Sequence, residues 1–345
     1  MAICMATHEP PAHLLSRQIE SIRRQTHRRF VCLVSDDGSD PELFAGIERL
    51  CTDDSRFVVS RADARLGFYR NFERCLSLVP AEAEFVALAD HDDLWHSDKL
   101  ATLISALQKS NALLAYSDMR VVDADGATIA FSYWNGRRNN HTKLGSLLLT
   151  NTVTGAASMF RRQLLDDALP FPPGVGPAFH DHWIACVALA FGEIAYVERP
   201  LYDYVQHEAN VIGHNPPDAE RRSGLVHVLR RFASNPRLRV RNTMASGRAI
   251  YIGDVVRLEV LARTLERRSS GRIRPDRMAD IRRVARLSSS TGSLGWLLAR
   301  SARDLRGDSE TLGAETELVK GIAWRHAQTA RARFRRIRLG GPAGR

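Results

Sequence analysis

The stretch FVALADHDDLWHSDKL (residues 85–100) runs an apolar segment, Phe85 to Ala89, straight into three carboxylates, Asp90, Asp92 and Asp93. An apolar run of this length ahead of a polar break reads as a strand buried on both faces, the kind found inside a mainly parallel sheet. Three acids at this spacing repel one another and give a loop no structural gain by themselves. They ask for a positive partner.

The same alternation surrounds the segment. AICMA (2–6), FVCLVS (30–35), RFVVS (56–60) and ALLAYS (112–117) read as further buried strands. Between them, HLLSRQIESIRRQ (13–25), PELFAGIERLC (41–51), FYRNFERCLSLV (68–79) and SDKLATLISALQK (97–109) read as helices. In the last, Leu100, Leu103, Ile104 and Leu107 recur at helical spacing, with Ser97 as a candidate N-cap. After residue 118 the rhythm changes. A hairpin is expected over 119–134 around DADG, then a short helix near 143–149, a strand VTGAASMF (153–160), and a helix from His182 to Phe191. Two strand-like runs, EIAYVE and LYDYVQ, follow. The fold class is therefore α/β, a mainly parallel sheet extended by antiparallel strands and flanked by helices.

Charge divides the chain. Residues 221–345 hold 29 Lys and Arg against 10 Asp and Glu, a balance of +19; the whole-chain net of +10 leaves −9 for residues 1–220. Asymmetry of this size separates two jobs, so a boundary is expected at about residue 220, beside the breaker cluster GHNPPDAE (213–220). The later part reads as a basic helical region. Five scattered cysteines, never in a C-x-x-C pair, argue against a disulfide framework or zinc site and favour a reducing compartment. MAICMATHEPP lacks the basic start of a secretory signal, and the longest apolar run, WIACVALAF (183–191), is far short of a membrane span.

In open α/β sheets, ligands bind beyond the carboxyl ends of the strands. Two acid clusters sit at such ends: Asp36–Asp37 after FVCLVS, and Asp90, Asp92 and Asp93 after EFVALA. A divalent cation with all-oxygen ligands, Mg²⁺ or Mn²⁺, would neutralise them and bridge to the phosphates of a nucleotide diphosphate. The alternative is a set of loop aspartates that cap helices, and one D-x-D alone does not decide between the two.

Several motifs in order do more. SDDGSD (35–40), LADHDDLWHSDKL (88–100), TGAASMF (154–160), HDHW (180–183) and YVQHEANVIG (204–213) resemble, in order and spacing, the family 2 glycosyltransferases, and most of all their bacterial rhamnosyltransferase-like branch. The resemblance covers about residues 2–213. It implies a GT-A (Rossmann-like) fold over residues 1–220, with 221–345 as a helical extension, and a metal-dependent reaction that inverts the anomeric centre. Position by position it implies that Thr7 and Glu9 approach the nucleobase while Asp36 and Asp37 hold base and ribose. Asp90 contacts the nucleotide sugar, Asp92 binds the metal, Asp93 supports the rim, and His207 adds a metal contact. Asp181 is the general base, which could equally be an N-cap. Thr154, Gly155, His180 and Trp183 fall where donor sugar and acceptor meet, and His182 shares that neighbourhood. Trp95 is expected to pack beneath the site.

The sequence departs from the family in two places. ATHEPP stands where a turn with asparagine is common, and Arg65 replaces a frequent asparagine, where it could meet a phosphate. The implied donor is a dTDP- or UDP-linked sugar, with L-rhamnose as the branch-level expectation, and the acceptor a glycan or lipid-linked saccharide. The alternative is a sugar-nucleotide nucleotidyltransferase, against which stands the lack of a glycine-rich phosphate loop in MATHEPPAHL; a phosphorelay receiver would leave HDHW unexplained. The +19 region carries no zinc pattern, RNP motif or interleaved aromatics, so no nucleic-acid partner is expected. TARARFRRIR (329–338) fits an anionic membrane surface better, which gives a cytoplasmic protein peripheral to the inner face of the plasma membrane; the competing reading is a helical bundle packed on the catalytic part.

Overall fold

The computed structural model describes residues 1–134, 138–206, 246–304, 310–311 and 313–339 and, within them, all side chains but those of 304 and 333–339. The chain opens with β1 (Ala2–Thr7), α1 (Ala12–Arg23), β2 (Val31–Asp36), α2 (Pro41–Cys51), β3 (Phe57–Arg61), α3 (Phe68–Ser77) and β4 (Phe85–Ala89). These four strands are parallel, in the order β3-β2-β1-β4. Register decides what happens at their ends. Thr7 pairs with Asp36 and Met5 with Ala89, so the two acid clusters leave the sheet at the same edge.

The sheet then continues through β5 (Leu94–Trp95), β6 (Leu114–Asp123), β7 (Thr128–Ala130), β8 (Ser158–Arg161) and β9 (Ile194–Gln206). Its full order is β3-β2-β1-β4-β8-β6-β9-β5, with β7 on β6. β8 is antiparallel to both β4 and β6, and β9 is parallel to β6. The helices between are α4 (Lys99–Ser110), α5 (Leu144–Leu147), α6 (Leu165–Ala168) and α7 (His180–Phe191). The mixed, mainly parallel sheet flanked by helices is the architecture expected.

Local differences from the sequence reading have physical causes. The strand expected over 153–160 begins only at Ser158, because Gly155–Ala157 form a 3-10 turn whose first amide bonds a side chain instead of a ladder partner. EIAYVE and LYDYVQ are one strand, β9, and its pairing with β6 shifts register at Pro200, which has no N–H to offer. The hairpin's first strand is the continuation of β6. Ser97 is no cap: α4 starts at Lys99, and the Ser97 carbonyl accepts from Thr26 N at 2.8 Å. All five cysteines are free and buried.

Beyond residue 245 come a π turn (Tyr251–Val255), α8 (Val256–Arg268), α9 (Pro275–Val284), α10 (Thr291–Asp304) and α11 (Ala314–Leu339). Leu258, Leu265, Ile281, Leu297 and Ile322 from these helices join the same apolar core as the strands. Their arginines dock on the α/β part. Arg268 donates to the Asp167 carbonyl at 2.7 Å, Arg277 to the Gly192 carbonyl at 2.6 Å, and Arg300 to Ser146 Oγ at 2.8 Å. Part of the basic charge is thus spent on packing. Residue 220 lies outside the described residues, and among those described no helix is long and apolar enough to cross a membrane.

Candidate active site

The acidic rim is held from below by polar residues of α1. Gln18 and Ser21 of α1, and Gln25 just past its end, are buried. Gln18 Nε2 donates to the Asp90 carbonyl at 2.9 Å, and Ser21 Oγ accepts from Trp95 N at 3.1 Å. Gln25 Nε2 donates to the His96 carbonyl at 2.7 Å, while its Oε1 accepts from Leu100 N at 3.1 Å. The far side is fixed by Asp203 on β9, which accepts from His96 Nε2 at 2.9 Å and twice from Arg120, at 2.8 and 2.6 Å. A loop of like charges keeps its shape because its backbone is satisfied on both sides.

Part of the positive charge that the acids require is supplied from within. Lys99 is fully buried beneath the rim; its Nζ donates to the Ala156 carbonyl and lies 3.8 Å from the Trp95 ring centroid and 4.5 Å from that of Tyr202. Burial pulls its pKa down to about 7, against the attraction of Asp93 and Asp90. Burial also pushes Asp90 up to about 7, with Asp92 and Asp181 adding repulsion, and pushes buried Asp93 well above the carboxylate range. One lysine does not neutralise three carboxylates. Trp95 packs under the site, as expected.

Across the sheet edge, Asp36 is fully buried and spent on structure. It accepts from Thr7 Oγ1 at 3.1 Å, Ser39 Oγ at 2.6 Å and Ser39 N at 2.9 Å. Asp37 grips the next loop, accepting from Leu66 N at 2.6 Å and Gly67 N at 2.8 Å. Glu9 is exposed and holds φ at 46°, a left-handed conformation uncommon for a side-chain-bearing residue, pinned by its amide on Ser39 Oγ at 2.8 Å.

The third side is the start of α7. Asp181 Oδ2 accepts from Gly155 N at 3.2 Å and Oδ1 from His182 N at 2.6 Å. Desolvation raises its pKa to about 6, against the lowering effect of those two amides and of Arg257. His180 stacks on Phe72 with centroids 3.6 Å apart and is kept neutral by burial, its pKa near 3. Gly155 has to be glycine here: a Cβ would lie 2.9 Å from His180 Nε2 and 3.2 Å from Asp181 Cβ.

Thr7, Glu9, Asp37, Arg65, Asp90, Asp92, Thr154, Gly155, His180 and Asp181 line one cleft of about 1080 Å³. Three expected residues do not. Asp36 is consumed by the turn after β2. Asp93 lies under the rim. Trp183 is a core residue, 1% exposed, whose Nε1 donates to the Ala168 carbonyl at 2.8 Å. His207 lies outside the described residues. Sequence reasoning missed Lys99, and Asp254 and Arg257 from the helical region; buried Asn71 of ARLGFYRNF (64–72), which keeps the family pattern, bonds Ser35 from the cleft wall. Polar residues at 18 and 21 were a readable signal, a polar stripe on the face turned to the core; nothing local marked Arg257.

The rim suits a hard divalent cation. Its donors are oxygens, Asp92 repels both Asp90 and Asp93, and Asp93 Oδ2 is buried without a hydrogen-bond partner. Among the described residues no three His, Cys, Asp or Glu groups are arranged to hold a metal ion by themselves.

The sequence model of the family described as Glycosyl transferase family 2 matches residues 2–169. An uncharacterized glycosyltransferase of Nostoc sp. is 24% identical over 208 residues, 58% of this chain and 62% of that protein. The Escherichia coli UDP-Glc:alpha-D-GlcNAc-diphosphoundecaprenol beta-1,3-glucosyltransferase WfgD is 29% identical over 119 residues, 32% of this chain and 42% of that protein. The chain therefore spans less than two thirds of the length of these relatives. Among solved structures, S. aureus TarS residues 1–349 in complex with UDP-GlcNAc superimposes with a TM-score of 0.53 at 14% identity, covering 94% of this chain and 91% of that one. Residues 2–169 thus match the sequence model of glycosyl transferase family 2, and the chain is built into a GT-A-type fold.

Proposed function

We propose that the protein is a metal-dependent inverting glycosyltransferase that moves a sugar from a nucleotide diphosphate to a glycan or lipid-linked acceptor during cell-surface polysaccharide synthesis. The observation that carries this reading is one cleft lined by both the Asp90/Asp92 rim and the Asp181 carboxylate, inside a chain whose first half matches the family. The donor is a UDP- or dTDP-sugar. The motif resemblance favours dTDP-L-rhamnose, whereas the UDP-Glc donor of the E. coli relative and the UDP-GlcNAc of the TarS complex favour UDP. The E. coli name also supports an acceptor on a lipid diphosphate.

In this reading Thr7, Glu9 and Asp37 take the nucleoside, Arg65 meets a phosphate and Asp90 a donor hydroxyl. Asp92, with His207, would hold Mg²⁺ or Mn²⁺, which supplies Lewis-acid stabilisation of the leaving diphosphate. Asp181 takes the proton of the acceptor hydroxyl as its oxygen attacks the anomeric carbon. The new C–O bond forms as the bond to the diphosphate breaks; the nucleotide leaves with the electron pair, and the centre inverts. A carboxyl with a pKa near 6 is a stronger base than an ordinary one and is still charged at neutral pH. Neutral His180 and the Thr154–Gly155 turn shape the floor where the sugars meet.

The basic helical region extends the reading to a peripheral position on the anionic inner face of the plasma membrane, in the cytoplasm. Flotation with anionic liposomes tests this, with failure to float as the contrary result. A screen of UDP-sugars and dTDP-L-rhamnose with Mn²⁺, read as released nucleotide diphosphate, tests the reaction. Turnover of at least one donor is expected. No turnover, together with no nucleotide-dependent rise in Tm, would remove the reading, and indifference to dTDP would discard rhamnose.

A further inference from the structure

The HDHW segment contains one residue that the transfer chemistry leaves unused. His182 is buried, with Nε2 2.7 Å from the Leu147 carbonyl and Nδ1 3.2 Å from Nη1 of Arg257. A carbonyl only accepts and a guanidinium only donates, so the hydrogen-bond partners assign the ring as the neutral Nε2–H tautomer. Burial first, and Arg257 second, hold its pKa near 3, so the ring stays neutral across any working pH. A histidine fixed in this way is an acceptor post. What it holds is Arg257.

Arg257 belongs to the first turn of α8, directly after the π turn Tyr251–Val255. Inserted π turns occur often at functional sites, where they re-aim the side chains that follow. This one is pressed from two sides. A Cβ on Gly176, at φ 59°, would lie 2.7 Å from Gly253 Cα, and a Cβ on Gly321 of α11 would lie 2.9 Å from Ile250 Cγ2. The result is that Asp254 and Arg257 both line the cleft. The Arg257 side chain is 14% exposed; Nη2 lies 3.4 Å from Asp254 Oδ1, and buried Nε has no hydrogen-bond partner. Facing Asp181 are His180, His182 and Cys186 from its own helix, the Gly155 amide, Asp90 from the end of β4, and Arg257 with its partner Asp254. Of these, Arg257 alone carries positive charge, since both histidines are held neutral.

We propose that Arg257, delivered by the helical region, is a positioning residue for Asp181: it anchors on the ring of His182, whose amide holds Asp181 Oδ1 at 2.6 Å, and sets its cation in the cleft that Asp181 lines. The proposal rests on Asp181 being the base. It makes the helical region part of the catalytic site, and it gives His182 a purpose distinct from sugar binding. Desolvation raises the Asp181 pKa; the His182 and Gly155 amides oppose it first, and the Arg257 cation adds to them.

The test uses the full chain and slow hydrolysis of the UDP- or dTDP-sugar that the wild type turns over fastest, with water as acceptor. R257Q keeps a donor for His182 Nδ1 and removes the charge; R257K keeps the charge. The expected result is that R257Q binds UDP within about twofold of wild type but hydrolyses donor roughly tenfold more slowly at pH 5 and about twofold more slowly at pH 7. The acid limb of its kcat/KM profile moves up by roughly one pH unit, and R257K restores it. R257Q with the wild-type rate and limb, beside an inactive Asp181→Asn, overturns the proposal alone. A slower R257Q with an unmoved limb that R257K does not rescue overturns it too. Asp181→Asn as active as wild type overturns the base assignment, and this proposal with it.

Discussion

The amide of Gly155 donates to Asp181 Oδ2 at 3.2 Å, joining the turn before β8 to the first turn of α7 across 26 residues of sequence. The bond leaves the carboxylate facing the cleft with one amide on each oxygen. Asp181→Asn keeps the shape and removes the basicity. It should bind UDP like wild type and lose about 10²–10⁴-fold in kcat. Gly155→Ala should also lose activity, because its methyl group would press on His180 and Asp181. A normal kcat in Asp181→Asn, measured beside unchanged UDP affinity, would contradict the assignment.

The pH dependence follows from the same carboxyl. Its pKa is raised to about 6, and a base must be unprotonated, so kcat/KM should fall about tenfold per pH unit below that value and level off above it. An ordinary exposed carboxylate would put the limb near pH 4. A limb at that lower position would show that burial does not govern the base.

Lys99 offers a stability test. Lys99→Met removes the buried donor to the Ala156 carbonyl, and leaving that carbonyl unsatisfied costs about 2 kcal/mol. Urea denaturation at pH 7.5 should show that loss. A variant as stable as wild type would show that this bond adds nothing net to the fold.

Gln25 tests the brace beneath the rim. Gln25→Leu removes the bonds to the His96 carbonyl and Leu100 N and should cost about 2 kcal/mol. It should also weaken nucleotide binding, since the acidic loop rests on that side chain. Unchanged UDP affinity in a destabilised variant would separate the brace from the site.

The sequence made the parallel half of the sheet and its acidic edge legible because buried parallel strands are long apolar runs and their ends are punctuated by acids. Asp181 was legible through HDHW. What could not be read was which acids face inward. Asp36 and Asp37 are adjacent, yet the Ser39 turn consumes one and leaves the other in the cleft. Trp183 follows HDH in sequence, but the helical turn points it into the core. Arg257 reaches the site through tertiary packing of helices whose composition spoke only of charge.

Calorimetry of UDP and dTDP binding, with and without Mn²⁺, to the wild type and to Asp92→Asn tests the central claim most directly. The account predicts that Mn²⁺ tightens nucleotide binding to the wild type about tenfold or more and that Asp92→Asn abolishes this gain. Nucleotide binding that ignores both the metal and Asp92, or no nucleotide binding at all, would contradict it.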